Sequence, residues 1–351
     1  MKGIAASLPA LVSILLVAGC ASTEDQRAGD GLAVNTMACG QTDIGLDYHE
    51  DRSGLTITFG SDKMVLKQKE SASGARFVDP DNDGTQFWNK GNTATLTIDG
   101  QALPLCLVPG AVEKPFIARG NEPFWRAVLE PGQLVVEQMG KEPIALRYEV
   151  VESATTGRTF EAEGDGVRVS LKTASQLCRD SMTGMPYPRQ VRLAVNGEES
   201  QGCGGDPERL LRGTEWVVED IGGRGIIDSS RVTLNFLADQ RVAGRASCNQ
   251  FSGGWNLTGE GLEFTRMAST KKACAPALMN QEDRFLSLLG EVQRFDIGRH
   301  GEGIDFVDQP CLPWRGDSVV VVHFPPGHHV DIFRKNVSTV LVQQVDGPIK
   351  G

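Results

Sequence analysis

Histidine is scarce in this 351-residue chain: there are five, and none lies between His49 and His300. That excludes a histidine-based catalytic triad or a histidine zinc site from the middle of the sequence. Positive charge is in deficit, with 35 Lys and Arg against 45 Asp and Glu, a net charge of −10. Such a balance argues against nucleic acid as a partner and favours attraction of basic proteins. Beyond the N-terminus no apolar run is long enough to read as a membrane span, and helical periodicity is only scattered. Punctuation is abundant instead. The 41 Gly and 17 Pro, with 40% hydrophobic residues, describe short strands and turns around real cores. The length gives room for two or three domains.

The chain starts with Met1 and Lys2, then an apolar run from Ile4 to Ala18 ending at Gly19 and Cys20. One cation, a short hydrophobic region and small residues at a cleavage point describe a secretory signal, too short for a stable span. The Ala18-Gly19-Cys20 end resembles the lipobox of bacterial lipoproteins. The resemblance implies a signal peptide over 1–19, cleavage before Cys20 and a diacylglyceryl group on its thiol. It also implies an outer-membrane lipoprotein with its folded part in the periplasm, since Ala21 rather than Asp follows the cysteine. Acyl chains worth about 0.8 kcal/mol per buried CH₂ make such an anchor effectively permanent. Residues 20–36 are polar and Gly-containing, as expected of a flexible tether.

Seven further cysteines follow. In an oxidising compartment the simplest connectivity pairs neighbours: Cys39 with Cys106, Cys178 with Cys203, and Cys248 with Cys274, leaving Cys311 alone. Sequence alone does not prove that pairing. Loops of this size would stabilise each domain by roughly 3 to 4 kcal/mol in the chain-entropy account. The expected architecture is mainly β: three small disulfide-bridged domains over 37–110, 114–207 and 208–303, then an atypical tail over 304–351.

In the first domain the alternations Leu55, Ile57, Phe59, then Met64, Leu66, and later Ala94, Leu96, Ile98 read as strands. Between these groups residues 69–91 read as a polar, Gly-containing loop with aromatics. SASGARF (71–77), FWNKG (87–91) and the flanking Cys39 and Cys106 resemble the membrane-bound inhibitors of c-type lysozyme. That resemblance implies a small antiparallel β-barrel in which Ser73 and Lys90 enter the lysozyme cleft. The chemistry is coherent, because a glycosidase cleft carries two carboxyl groups that an ammonium can pair with and a hydroxyl can hydrogen-bond. The competing reading makes Ser73 a turn cap and Lys90 a solvated strand residue; Phe87 and Trp88 read as barrel core. Asp79, Asp81, Asp83 and Gly84 match the first half of an EF-hand loop. Lys90 stands where that loop needs a bidentate Glu, so no metal or cofactor is expected. This acidic insert raises the question of where Lys90 sits relative to Ser73.

Residues 116–137 and 177–203 resemble an uncharacterised envelope lipoprotein domain with an RGNEPFW motif. The alternations Leu129, Leu134, Val136 and Val191, Leu193, Val195 predict hairpins. Asn121, Glu122, Trp125 and Asp180 are candidates for a pocket or, preferably, a hydrogen-bonded corner beside a disulfide. From Leu210 the text resembles the META or HslJ-like domain, carried by Trp216, Cys248-Asn249, Phe251-Ser252-Gly253 and residues 267–282. That family has been linked to envelope stress, without an established chemistry. Pro276, Leu278, Phe285, Leu286 and Leu289 predict a short amphipathic helix against the sheet. Asn249 reads as satisfying backbone groups, with a ligand role as the alternative. The tail, with the apolar run Val319 to Phe324, reads either as foreign or out-of-frame sequence or as an extra hairpin. His323, His328 and His329 lack a spaced fourth ligand for a metal.

The resulting expectation is a non-enzymatic envelope lipoprotein that binds and inhibits c-type lysozyme through Ser73 and Lys90. The alternative is a stress-related scaffold or small-ligand binder acting through the second and third domains.

Overall fold

The structure is a computed structural model that describes residues 35–51, 53–222, 224–259 and 261–299, and the backbone of two strands, Ser318–His323 and His329–Arg334. The signal segment, Cys20, most of the tether, Cys311 and His328 lie outside the described residues. Among the described residues the chain is built from antiparallel sheets with one α-helix, and no helix is long and apolar enough to cross a membrane.

The first sheet comprises β1 (Thr36–Cys39), β2 (Thr42–Tyr48), β3 (Gly54–Phe59), β4 (Asp62–Lys69), β5 (Ala75–Val78), β6 (Gln86–Lys90), β7 (Thr93–Ile98), β8 (Gln101–Ala102) and β9 (Cys106–Leu107). Its strand order is β6-β5-β4-β3-β2-β1-β9-β7-β8, and β6 also pairs with β7. That extra pairing closes eight strands into the expected small barrel, leaving β8 as a flap on β7. Inward residues alternate along the strands, so Ile44, Leu55, Ile57, Leu66, Phe87 and Leu96 fill one core. The bridge Cys39–Cys106 joins β1 to β9 inside it. Residues 69–91 are not a loop throughout. Their middle folds into the β5–β6 hairpin, with Ala75 opposite Asn89 and Val78 opposite Gln86.

The second sheet contains β10 (Phe116–Asn121), β11 (Phe124–Glu130), β12 (Gln133–Gln138), β13 (Ile144–Leu146), β14 (Tyr148–Ala154), β15 (Gly157–Gly164), β16 (Val167–Ala174), β19 (Arg189–Val195) and β20 (Glu198–Gly204). The short strands β17 (Cys178–Arg179) and β18 (Pro186–Tyr187) form a separate ribbon. Both predicted hairpins are present as β11–β12 and β19–β20. Three two-residue turns, Asp99-Gly100, Asp165-Gly166 and Asn196-Gly197, hold both residues at positive φ. These are the Asx-Gly turns whose twist matches a tight hairpin.

The third sheet contains β21 (Glu215–Val218), β22 (Thr233–Phe236), β23 (Arg241–Arg245), β24 (Gln250–Leu257), β25 (Leu262–Ser269), β26 (Arg294–Arg299), β27 (Ser318–His323) and β28 (His329–Arg334), with helix α1 (Pro276–Leu289) between β25 and β26. The tail strands β27 and β28 form a hairpin inserted between β26 and β21, so this sheet extends past residue 303. Pro276 opens α1 as expected. Its buried face differs from the apolar stripe read in the sequence. Gln281, Glu282, Phe285, Leu288 and Leu289 are buried, whereas Leu286 is only half-buried. Two polar residues occupy that face because each has a partner there: Gln281 accepts from Ile227 N–H at 2.8 Å, and Glu282 holds Asn249.

The three predicted disulfides are all formed. The sheets are tied together by polar contacts, most of them buried or half-buried. Arg209 donates to the carbonyls of Leu105 and Ala38 at 2.6 and 3.0 Å and pairs with Glu113 at 3.6 Å. Burial lowers the pKa of its guanidinium and Glu113 opposes the shift. Burial likewise pushes Arg189 down to about 10, while it donates to Ser175 Oγ at 2.6 Å and to the Ala111 carbonyl. Arg179, on the β17–β18 ribbon, donates to both carboxylate oxygens of Asp296 at 3.1 Å. Met185, Leu177 and Tyr187 of the same region pack into the third core.

Candidate functional site

The residues flagged in the first barrel converge at one end of the β5–β6 hairpin. Ser73 lies in the exposed turn that leads into β5, and Lys90 is the last residue of β6. With Ala75 opposite Asn89, the register carries Gly74 to the level of Lys90. Gly74 has φ +68°, and a side chain there would run into the Asn89 carbonyl oxygen, 2.2 Å from its Cβ, and into Lys90 Cγ at 3.0 Å. Glycine at this position is therefore what allows the SASG turn to lie against the end of β6. Ser71 secures the turn locally, its hydroxyl donating to Gly74 O at 2.9 Å and lying 3.2 Å from Ser73 O. No side-chain hydrogen bond or ion pair of Ser73 or Lys90 is present among the described residues. Both polar heads are exposed.

Trp88 departs from its expected place. Phe87 is a fully buried barrel residue, 0% exposed. Trp88, next along the strand, faces outward and is only half-buried. Its Nε1–H donates to Ser73 O at 2.8 Å, and the Lys90 Nζ stands 3.7 Å from the centre of its ring. The period-2 alternation demanded this: once Phe87 points in, Trp88 points out.

The acidic insert is at the other end of the hairpin. Residues 79–85 connect β5 to β6 opposite the Ser73–Lys90 end, roughly 13 Å away at the rise of a four-residue strand. Asp79 Oδ1 accepts from Asp81 N–H at 2.9 Å, and Asn82 Oδ1 accepts from Gly84 N–H at 3.1 Å. The Asn82 side-chain amide also contacts Thr85 Oγ1 and Asp99. The half EF-hand pattern is thus folded as a hydrogen-bonded turn. Among the described residues no group of three or more His, Cys, Asp or Glu side chains is placed to hold a metal.

In the second sheet Asn121 Nδ2 donates to Asp180 Oδ2 and contacts Ser181 Oγ, both at 3.0 Å. Asp180 Oδ1 accepts from Met182 N–H, Thr183 N–H and the Thr183 hydroxyl at 3.0, 2.9 and 3.0 Å. Burial alone would raise the Asp180 pKa, but these hydrogen bonds outweigh it and hold the carboxyl below its ordinary value. The corner lies beside Cys178–Cys203, along an open polar groove of about 1020 Å³ lined also by Arg119, Glu122, Lys172 and Arg192. Trp125 is not part of its lining; it is buried in the core against Gly120 and Gly202.

In the third sheet Asn249 uses every polar group it has. Its N–H and Nδ2 donate to the Glu282 carboxylate at 2.8 and 3.1 Å, and Nδ2 also donates to Lys272 O at 3.3 Å. Its Oδ1 accepts from Lys272 N–H and Thr270 Oγ1 at 2.7 and 2.9 Å. Trp216 is buried, its Nε1 donating to Leu211 O at 2.7 Å. Asn249 and Trp216 thus spend their side-chain polar groups inside the protein.

Fold and geometry together define a multi-sheet, disulfide-bridged β protein whose first barrel presents on one edge an exposed serine and lysine whose side chains make no hydrogen bond or ion pair among the described residues. Residues 38–104 match the family of the membrane-bound lysozyme-inhibitor of c-type lysozyme, and residues 209–303 match the META domain. The first barrel is thus similar to the lysozyme-inhibitor family, and the stretch from 209 to 303 to the META domain. No curated protein matches the chain. An NMR structure of a protein from Burkholderia xenovorans is similar at 18% identity over 36% of this chain and 85% of that one. Its TM-score of 0.28 carries no argument.

Proposed function

We propose that this protein inhibits c-type lysozyme by inserting the Ser73–Lys90 edge of its first barrel into the enzyme's active-site cleft, acting as a binding protein and not an enzyme. The observation that carries this reading is the convergence of the two motifs, 17 residues apart in sequence, at one exposed end of the β5–β6 hairpin. An ammonium that enters a cleft bearing two carboxyl groups exchanges water for charge-assisted partners, and a neighbouring hydroxyl adds a directed hydrogen bond. The net charge of −10 steers a basic enzyme toward this surface. The acidic insert does not oppose docking, because it sits at the far end of the hairpin, more than a Debye length away at physiological salt.

The same reading includes lipidation at Cys20 and an outer-membrane location facing the periplasm, where the three disulfides persist. Cys20→Ser is expected to abolish acylation, checked by fractionation and mass spectrometry; membrane-bound, acylated mutant would contradict it. Residues 116–203 are proposed to be an RGNEPFW-type lipoprotein domain. The groove beside Cys178–Cys203 favours a second reading, small-ligand capture, by its size. Its Asn121 and Asp180 are already spent on each other. Lysozyme turnover in the presence of the purified mature chain separates the two: dose-dependent inhibition supports the first reading, and none at tens of micromolar contradicts it.

A further inference from the structure

The free surface of Trp88 raises a question that the two contact residues alone leave open. A lysine on a strand end has four rotatable bonds, and the serine sits in an exposed turn held from within by the Ser71 hydroxyl. Both would lose conformational freedom on entering a cleft. One side chain touches both. The Trp88 Nε1–H donates to the carbonyl of Ser73 at 2.8 Å, and its ring lies under the Lys90 ammonium at 3.7 Å. Across the sheet Trp88 is paired with Arg76 on β5, itself held by Gln86 Oε1 at 2.8 and 3.1 Å, and with Thr95 on β7.

We propose that Trp88 is a positioning residue that preorganises the recognition edge, with one indole fixing the Ser73 turn through its N–H and parking the Lys90 ammonium on its face. The inference rests on the lysozyme-inhibitor reading above. A solvated lysine sampling many rotamers offers its charge to the cleft only part of the time. A ring beneath it narrows that set before binding, and a cation over an indole is attracted by the ring quadrupole. The hydrogen bond acts on the other partner: it anchors the carbonyl of the residue whose hydroxyl must point outward. Ser73 and Lys90 are therefore coupled through Trp88 in the free protein, and the lysozyme meets a formed edge.

The test uses the mature chain, a c-type lysozyme and two variants, Trp88→Phe and Trp88→Ala. Phenylalanine keeps a ring but removes the donor, and is expected to weaken binding about 3- to 10-fold, the net value of one hydrogen bond. Alanine removes both links and is expected to weaken it about 30-fold or more, the sum of hydrogen bond and cation–π contact. In the Trp88→Ala background the separate losses from Lys90→Ala and Ser73→Ala should shrink, which a purely structural role for the indole would not produce. A lysozyme-independent reading comes from ¹⁵N NMR of the free protein. The indole N–H of Trp88, identified by its disappearance in Trp88→Phe, should exchange slowly, and the Lys90 methylene protons should move downfield when the ring is removed. If wild type binds but both Trp88 variants bind equally well, and the Lys90 and Ser73 losses are unchanged in the alanine background, the bridge is overturned while the inhibitor reading stands. If wild type itself does not bind, the inhibitor reading falls and takes the bridge's role with it. Should Trp88→Ala lose its fold, seen by circular dichroism, the phenylalanine variant and its NMR signature still decide.

Discussion

Two polar constellations of this protein, Ser73 with Lys90 in the first barrel and Asn249 with Glu282 in the third sheet, are both carried by motifs yet use their atoms in opposite ways. Asn249 spends all its donors and acceptors inside the protein, and Glu282 is buried to receive them. Ser73 and Lys90 end in exposed polar heads, with only main-chain and ring contacts holding them in place. The contrast separates a motif that specifies a fold from one that offers a surface. Buried polar groups must be satisfied, so a complete set of internal partners marks structure. Exposed polar heads keep their bonding capacity for a partner, as the proposed lysozyme recognition requires.

Breaking the buried side of this comparison should have the largest effect. Glu282→Ala leaves the Asn249 N–H without its acceptor in a buried site and Nδ2 with the Lys272 carbonyl alone, and should cost roughly 3 kcal/mol of stability. Denaturant titration of the mature chain checks it, and inhibition per folded molecule should not change. Breaking the exposed side should do the reverse. Lys90→Ala should cost about 2 to 4 kcal/mol of lysozyme binding and Ser73→Ala about 1 to 2 kcal/mol, with melting temperatures close to wild type. Isothermal titration and thermal melts of the same samples read both quantities.

Asp180 sharpens the comparison through pH. Its folded-state pKa is depressed, so its stabilisation is fully present above the unfolded value of about 3.9 and is lost as pH falls through the folded value. Asp180→Asn should therefore destabilise the protein at pH 7 and progressively less below pH 4. A difference between the two proteins that stays constant into acid would contradict the assignment. The smallest effect is expected for the insert. Neutralising Asp81 and Asp83, which are exposed at the far end of the hairpin, should change lysozyme binding by less than about 0.5 kcal/mol at physiological salt.

Much of this was legible in the sequence where the signal was local. Alternation at Leu55, Ile57, Phe59 and at Val191, Leu193, Val195 gave strands, because a period of two admits few other structures. Neighbour pairing of the cysteines matched the three bridges formed. The β5–β6 hairpin was hidden because its strands are short and polar on the outer face, though the inward Phe77 and Phe87 were a usable cue. The hydrophobicity of Trp88 suggests core, but the alternation set by the inward Phe87 turns it outward. The burial of Gln281 and Glu282 was not legible, since it depends on Ile227 and Asn249, partners more than 30 residues away in sequence. Arg209 was invisible for the same reason: its partners Ala38, Leu105 and Glu113 come together only in the fold. The strands β27 and β28 lay in a segment whose composition gave no register to the sheet they join.

The measurement that tests the central claim most directly is titration of a c-type lysozyme with the mature protein and with its Ser73→Ala, Lys90→Ala double variant, both first shown to be equally folded. The account predicts binding and inhibition by wild type, and a loss of at least about 100-fold in the double variant, somewhat less than the sum of the single losses because both residues share one edge. A folded double variant that inhibits as well as wild type, or a wild type that does not bind at tens of micromolar, would contradict it.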